Sequence, residues 1–224
     1  MSVSSDQETA AETERVRRLQ DREAPRYDKQ ISFFERVLFA DGREWVCRQA
    51  RGEVLELGIG TARNLPYYPP DINITGVELS GQMLAIGRQR AHELGRDAEL
   101  RLGDAQALEF PDERFDTVVC TLALCTIPDP RRAVAEARRV LRPGGQLLLL
   151  EHVRSPLLPV RLIERLLDPL AVRFAADHLT REPLDYLTAG AFEIEQVERS
   201  RLGIVERIRA RKPAPRAEQQ HSPG

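Results

Sequence analysis

The chain has 224 residues, a length that favours one domain and leaves little room for a second hydrophobic core. Hydrophobic residues make up 42% and charged residues 30% of it, which excludes general disorder and indicates a folded globular protein. Its 33 lysines and arginines are balanced by 35 acidic residues and form no long basic block, so we expect no nucleic-acid partner.

The cysteines and the termini indicate where the protein works. Cys47, Cys120 and Cys125 are an odd number without CxxC spacing, which fits neither a disulfide framework nor a metal cage, so we expect no metal. The N-terminus is charged where a signal peptide would be apolar, and no apolar run approaches the roughly 18 residues of a membrane span. The sequence therefore predicts a cytoplasmic location and leaves the oligomeric state open.

Both ends of the chain differ in composition from its centre. Residues 1–24 are polar with no apolar stripe, and residues 212–224 are rich in proline, glutamine and charge, so we expect flexible segments around one domain over residues 25–211. Residues 31–50 carry apolar side chains at helical spacing, interrupted at Asp41-Gly42. We expect this part to lie over the start of a sheet.

From residue 53, short apolar runs alternate with amphipathic stretches, which is the pattern of repeated βα units around a mostly parallel sheet. Ser80 is placed to cap a helix that runs to Leu94, and Asp129-Pro130 opens another that ends at Leu141. Helices between the strands give a three-layer α/β domain. The expected strands are 53–57, 73–78, 98–102, 115–121, 145–152, 192–199 and 202–210, and a further helix is expected over about 180–190.

The first strand runs into a glycine-rich turn, Glu56-Leu-Gly-Ile-Gly60, before an expected helix. Gly58 and Gly60 let the backbone approach a ligand with no Cβ in the way, and a helix start offers free N–H groups. The dinucleotide fingerprint needs a third glycine where this chain has Arg63, so nicotinamide and flavin cofactors are disfavoured. Two glycines alone are equally compatible with a plain tight turn.

Carboxylates stand at the ends of three expected strands. Glu78 follows the glycines by about 20 residues, a position from which an acidic side chain accepts the hydroxyls of a ribose. Asp104 ends the third strand, where an adenine amino group is a natural partner. Because Glu56 ends the first strand in the same way, the sequence predicts a nucleoside site at this edge of the sheet.

Five segments between residues 50 and 153 follow one another in order. They are Glu56-Leu-Gly-Ile-Gly-Thr-Ala62, Gly76-Val-Glu-Leu-Ser80, Gly103-Asp-Ala105, Phe115-Asp-Thr-Val-Val-Cys120 and Val140-Leu-Arg-Pro-Gly-Gly145. Together they resemble the motifs of class I S-adenosylmethionine-dependent methyltransferases. The resemblance implies a single-domain, doubly wound α/β fold with helices on both faces of a mostly parallel seven-stranded sheet, its last strand antiparallel. It also implies S-adenosyl-L-methionine as cofactor and S-adenosyl-L-homocysteine as product.

The same resemblance implies roles for individual residues. The glycines approach the methionine part of the cofactor, the acidic residue of the second motif binds the ribose, and Tyr27 closes over the cofactor from the N-terminal side. One departure is Ala62, where many members have glycine. The implied cofactor-binding residues are Tyr27, Glu56, Gly58, Gly60, Thr61, Glu78, Leu79, Met83, Asp104, Ala105, Thr121 and Leu122.

Methyl transfer from a sulfonium is an in-line displacement, so the protein contributes alignment and, for some acceptors, removal of a proton. The candidate catalytic residues are Glu151 and His152 at the end of the fifth strand and His178 before the next helix. A structural hydrogen-bonding role stays open for both histidines. We expect Cys125 to be a buried, inert thiol.

Four further segments bear on the methyl acceptor: Cys120–Cys125, Glu151–Val153, Leu167–Pro169 and His178–Glu182. They resemble a subgroup that contains alkyl thiol methyltransferases and bacterial phosphatidylethanolamine N-methyltransferases, whereas quinone methyltransferases are similar over the cofactor core only. A thiolate attacks without further help, whereas a lipid amine must lose a proton and leave a bilayer. We expect a small lipophilic acceptor, a thiol or an amine. Phospholipid or quinone methylation, and a non-catalytic cofactor-binding module, remain alternatives.

The stretch 157–174 is dense in leucine, valine and isoleucine and carries interspersed arginines. It suits a lid over a lipophilic acceptor, a peripheral helix on a membrane surface, or an ordinary helix packed on the domain. The sequence leaves these three interpretations open.

Overall fold

The structure, a computed structural model, describes residues 3–200 and 202–215. Over these residues the chain forms one seven-stranded sheet covered by helices on both faces. The strands are β1 (Glu53–Leu57), β2 (Asn73–Glu78), β3 (Glu99–Leu102), β4 (Phe115–Thr121), β5 (Leu141–His152), β6 (Glu193–Ser200) and β7 (Val205–Arg211). The helices are α1 (Val3–Phe34), α2 (Gly42–Cys47), α3 (Gly81–Glu93), α4 (Pro130–Val140), α5 (Leu158–Ala175) and α6 (Pro183–Ala189).

The strand order is β3-β2-β1-β4-β5-β7-β6. Strands β1 to β5 pair in parallel, and β7 runs antiparallel to both of its neighbours, β5 and β6. The chain thus forms the doubly wound sheet with an antiparallel last strand that the resemblance implied. The order reverses between β1 and β4, and ligands of such sheets bind beside the carboxyl ends of the strands at that reversal.

Alternation along the central strands builds two hydrophobic cores. On β4, Val118 packs into the core shared with α4 and α6, and its neighbour Val119 packs into the core shared with α2 and α3. Both side chains are fully buried. Because successive residues of a strand face opposite sides, this apolar run packs against helices on both faces of the sheet. The packing holds the carboxyl ends of the parallel strands in place at one edge of the sheet.

The expected helix starts are confirmed. The Ser80 hydroxyl accepts a hydrogen bond from the Met83 N–H (3.1 Å) at the start of α3. The Asp129 carboxylate accepts from the N–H groups of Arg131 and Arg132 (3.0 and 3.1 Å) at the start of α4. Each cap satisfies donors that the first turn of a helix leaves free.

The expectation of a flexible segment over residues 1–24 is corrected for the residues that the structure describes. They form the first part of α1, in which Val16 and Ala24 are buried. This part of α1 has no broad apolar face, and ion pairs between residues three or four apart, such as Arg17 with Glu14 and Asp21, support it instead. Hydrophobic periodicity therefore gave no signal for it.

Two further expectations are corrected. No α-helix follows the glycine turn; residues 60–64 form turns and Leu65–Tyr67 a single 3-10 turn, because Pro66, Pro69 and Pro70 prevent a longer helix. Lys212, placed in the C-terminal tail, is tied to β5, since its ammonium donates to the Leu141 carbonyl (2.7 Å). Residues 216–224 of that expected tail lie outside the described residues.

Candidate active site

A cavity of about 760 Å³ lies at the carboxyl edge of the parallel strands, and α1 contributes to its wall. This volume is in the range of small-molecule sites. The residues expected to bind a cofactor line it with one exception. They are Tyr27, Gly58, Gly60, Thr61, Glu78, Leu79, Met83, Asp104, Ala105, Thr121 and Leu122.

The glycine turn and Glu78 form one unit at the centre of the cavity wall. Gly58 and Gly60 have φ of 62° and 58°, a left-handed conformation that glycine adopts readily. The Gly60 and Ser80 N–H groups donate to the two oxygens of the Glu78 carboxylate (2.9 and 2.8 Å). Burial raises the pKa of Glu78, although these N–H groups favour its ionised form. Each oxygen keeps a lone pair for a further donor, which suits a pair of ribose hydroxyls.

Asp104 is held in place by a single neighbour. Its carboxylate accepts from the backbone N–H (2.9 Å) and the side-chain amide (3.0 Å) of Gln106. The Gln106 amide also donates to the Thr13 hydroxyl of α1 (3.1 Å). The carboxylate at the end of β3 is thus fixed in the cavity wall, with lone pairs to spare for an amino group.

Glu56 is the exception, because it does not line the cavity. The Asn64 amide and the Tyr68 hydroxyl each donate to its carboxylate (both 2.8 Å), and it is 1% exposed. Burial raises its pKa to about 7. The side chain faces the layer that contains α2 instead of the strand edge, since Glu56 alternates with Leu55 and Leu57, which point to the opposite core. The structure therefore places Glu56 behind the cavity wall, where Asn64 connects it to the lining residues Arg43 and Thr121, and its expected contact with the cofactor stays a prediction.

Arg43 is a cavity residue that the sequence analysis missed. The residue is 9% exposed and lies in the cavity wall. Its guanidinium pairs with Glu35 (2.5 Å) and donates to the Asn64 side-chain oxygen (2.8 Å) and the Thr121 hydroxyl (3.2 Å). Burial disfavours its charge, yet Tyr27 and Glu35 raise its pKa. It offers a cation to a carboxylate in the cavity. The only local signal was the Asp41-Gly42 break that precedes it.

The residues after the glycine turn attach it to α1. The Thr61 hydroxyl donates to Asp28 (2.6 Å), and Arg63 pairs with Glu35 (2.5 Å). Ala62 has φ of 60°, which costs a residue with a Cβ about 1–2 kcal/mol. Alanine in place of glycine at this position therefore strains the backbone, and the contacts of the neighbouring residues with α1 offset that strain.

One of the three expected catalytic residues lines the cavity. His152 does so, and its Nε2 lies 2.8 Å from the Oδ1 of Asp177, which also lines the cavity. Burial lowers the pKa of His152, but the carboxylates around it, Asp177 foremost, raise it, and the net shift is upward. Cys125 completes the group, with ligand-type atoms of all three residues within 4.8 Å of one another. Burial raises the pKa of the Cys125 thiol well above its ordinary value, which agrees with an inert thiol.

Glu151 and His178 do not line the cavity. The Glu151 carboxylate accepts from the backbone N–H groups of Ala123 and Leu124 (both 2.9 Å), so it holds the loop after β4. It points away because it neighbours His152 on a strand, where successive side chains alternate. His178 follows Asp177, and that preceding residue is the one that reaches the cavity. Neither side chain lies in the cavity wall, and the catalytic role expected for each stays a prediction.

The remaining cavity wall is largely apolar. It comes from the C-terminal part of α1 and the turn after it, from α5 and the segment after it, and from the ends of β5 and β7. Its residues include Ile31, Phe34, Leu38, Val153, Leu167, Phe174, Leu179 and Ile204. The cavity therefore combines a polar part, built on the ends of β1 to β3, with an apolar part that contains one histidine–aspartate pair.

Comparisons with known proteins agree with this geometry. A family model described as a methyltransferase domain matches residues 55–149. A phosphatidylethanolamine N-methyltransferase of Cereibacter sphaeroides is 41% identical over 118 residues, which are 52% of this chain and 58% of that protein. A thiol S-methyltransferase of Rattus norvegicus is 30% identical over 175 residues, 76% of this chain and 72% of that protein.

The fold has solved counterparts. A structure of a SAM-dependent methyltransferase from Thermotoga maritima superposes with a TM-score of 0.67 over 87% of this chain and 99% of that chain, at 24% sequence identity. That likeness shows the fold, and the thiol S-methyltransferase relative together with the domain match shows the family: the chain belongs to the S-adenosylmethionine-dependent methyltransferases.

Proposed function

We propose that the protein transfers the methyl group of S-adenosyl-L-methionine to the thiol or amine of a small lipophilic molecule. The observation that carries this proposal is the division of the cavity. Carboxylates and a buried guanidinium occupy the part at the ends of the first strands, and apolar side chains surround His152 and Asp177 in the rest.

The polar part fits the cofactor group by group. Glu78 has lone pairs for the ribose hydroxyls, and Asp104 has them for the adenine amino group. The Arg43 guanidinium is placed to bind a carboxylate of the methionine part. Leu79 and Met83, also in the wall, supply apolar contact for the base. When bound, the cofactor supplies an activated methyl group.

The histidine–aspartate pair provides a route for the acceptor's proton. A carboxylate only accepts hydrogen bonds, so the Asp177 contact makes Nε2 of His152 the N–H donor. Nδ1 is then the proton acceptor of the ring. A thiol or ammonium group beside it loses its proton to Nδ1, and the resulting imidazolium is stabilised by Asp177.

The acceptor class follows from what surrounds this base. Ile31, Phe34, Leu167 and Phe174 contribute apolar wall, so an acceptor gains affinity by burying hydrocarbon. Relatives named for thiol and for lipid amine methylation are consistent with either acceptor atom. The alternatives are phospholipid or quinone methylation, and cofactor binding without turnover.

The test incubates purified protein and S-adenosyl-L-methionine with an alkyl thiol, with an alkyl amine, with phosphatidylethanolamine vesicles and with a reduced quinone, in separate reactions. S-adenosyl-L-homocysteine formation is measured, and cofactor binding is followed independently by calorimetry. We expect turnover with the thiol or the amine. Turnover with the phospholipid or the quinone alone would replace the proposed acceptor class, and binding without any turnover would favour the non-catalytic module.

A further inference from the structure

Helix α5 presents hydrocarbon to solvent along its whole length. None of its 18 residues is buried. Leu166 is 76% exposed, and more than half of the surface is exposed on Leu158, Leu162, Ile163, Leu170 and Phe174. A helix packed on a domain buries its apolar stripe, so α5 is not an ordinary packed helix. Exposed apolar surface of this extent marks an interaction site.

The acidic and basic residues of α5 lie on different sides of the helix. Both acidic residues face the protein body, where Glu164 accepts from the Ser155 N–H (2.9 Å) and Asp168 from the Leu179 N–H (2.7 Å). Arg165 and Arg173 are exposed. The outward side of α5 is therefore apolar and cationic, without an acidic side chain.

The C-terminal end of α1 extends this surface across the cavity. Phe33 is 57% exposed, and Phe34 and the following Val37 are each 48% exposed, with Arg36 also exposed. Phe34 lines the cavity, as do Leu167 and Phe174 of α5. Exposed side chains from both apolar elements thus form a rim of the cavity.

We propose that these elements bind the surface of an anionic lipid bilayer. We define the α5–α1 surface as Leu158, Leu162, Ile163, Leu166, Leu170, Phe174, Phe33, Phe34 and Val37. An amphipathic helix with an apolar side and arginines lies in the plane of a membrane, its apolar residues among the acyl chains and its cations near anionic headgroups. In the described residues, no helix has the length and apolarity needed to cross a bilayer. Peripheral binding is the mode that these features fit.

The position of the cavity gives this contact a consequence. Because its exposed rim belongs to the α5–α1 surface, a membrane-bound molecule directs the cavity opening toward the lipid. A lipophilic acceptor then enters from the bilayer, where it is concentrated. This entry route rests on the proposed function, whereas the lipid contact itself does not.

The test is flotation of the purified protein with vesicles of phosphatidylcholine alone and with about 30% phosphatidylglycerol added. The decisive variant is Leu162→Ser with Leu166→Ser, two exposed positions outside the cavity wall. Leu94→Ser, at an exposed leucine beyond α3, is the matched control. We expect the wild type and the control to bind anionic vesicles, less so at high salt, and the double variant to bind at least tenfold more weakly.

Arg165→Gln with Arg173→Gln separates the electrostatic contribution, and we expect it to weaken binding chiefly at low salt. No binding by the wild type, or equal binding by the double variant and the Leu94→Ser control, overturns the proposal. A second contradicting result is a wild-type dimer in sedimentation velocity, a monomeric double variant and no vesicle binding by the wild type. In that case a second copy of the chain covers this surface.

A third readout keeps this inference separate from the proposed function. Cofactor affinity and turnover of a short, water-soluble thiol without vesicles should be equal in the wild type and the double variant. If the wild type binds the cofactor and methylates the thiol but does not bind vesicles, only the membrane inference fails. If vesicle binding is present and no acceptor turns over, only the proposed function fails.

Discussion

The two parts of the cavity are built in different ways. We call the polar part, proposed for the cofactor, the cofactor part, and the apolar part, proposed for the methyl acceptor, the acceptor part. In the cofactor part, Glu78 binds the backbone of Gly60 and Ser80, and Asp104 binds Gln106, so the contacts stay within neighbouring strand ends. In the acceptor part, residues of α1, α5 and the segment after it meet around His152 although they are far apart in the chain. The two carboxylates of the first part are thus held locally by βα units, although α1 also contributes to the wall there, whereas the second part exists only after the whole chain has folded.

The two parts also differ in polarity. The groups of the cofactor part are polar and mutually hydrogen-bonded, which fixes them before a ligand binds. The acceptor part is apolar and continues into the exposed rim of α5. Substitutions in the first part should therefore change cofactor affinity, and substitutions in the second should change the rate of transfer.

The largest expected effect separates rate from affinity. His152→Ala removes the proposed general base, and general-base catalysis is worth about 10²- to 10⁴-fold. We expect methyl transfer to fall by at least about a hundredfold while calorimetry shows the same cofactor affinity. His92→Ala, at an exposed histidine on α3, is the matched control. Equal losses of rate and affinity would make His152 a structural residue.

Glu56→Gln tests the support beneath the cofactor part. The folded protein keeps the Glu56 proton up to about pH 7, whereas the unfolded chain releases it near 4.5, so stability falls as pH rises between these values. The difference is worth about 3 kcal/mol. The free energy of unfolding, measured with denaturant, should therefore decrease less between about pH 5 and pH 8 in the variant than in the wild type. Identical pH dependence would mean that Glu56 ionises normally in the fold.

Glu78→Ala is expected to weaken cofactor binding at least tenfold, about 1.4 kcal/mol, because it removes the proposed acceptor of the ribose hydroxyls. Glu56→Gln should leave the affinity unchanged, since Glu56 lies outside the cavity wall. Glu99→Ala, at an exposed carboxylate of β3, controls for loss of charge. If calorimetry shows that Glu56→Gln weakens cofactor binding more than Glu78→Ala does, Glu56 and not Glu78 is the carboxylate that binds the cofactor.

The smallest expected effect concerns Asp177, which positions His152 without contacting the acceptor's proton. Its carboxylate raises the pKa of His152 against the effect of burial, so Asp177→Asn should lower that pKa. The rise of the transfer rate with pH should then begin at lower pH, with a plateau that falls less than in His152→Ala. Asp97→Asn serves as the control at an exposed position. A pH profile that does not move would exclude this coupling.

The same division explains what could be predicted from sequence. The bounds of β1, β2 and β4 and the cap at Ser80 follow from local patterns, and the structure confirms them. The first part of helix α1 was missed because ion pairs between residues three or four apart support it, and such pairs leave no hydrophobic periodicity in the sequence. Asp177 was missed because nothing in its neighbourhood distinguishes it, and its hydrogen bond to His152 spans 25 positions.

The central claim is that a lipophilic acceptor receives the methyl group in the apolar part of the cavity. The most direct measurement is S-adenosyl-L-homocysteine formation with a series of alkyl thiols, and of matching amines, at saturating cofactor. If hydrocarbon is buried in the cavity, kcat/KM should rise about fourfold for each added methylene, equivalent to about 0.8 kcal/mol, until the apolar part is filled. Turnover that does not depend on chain length, or no turnover while the cofactor binds, would contradict the account.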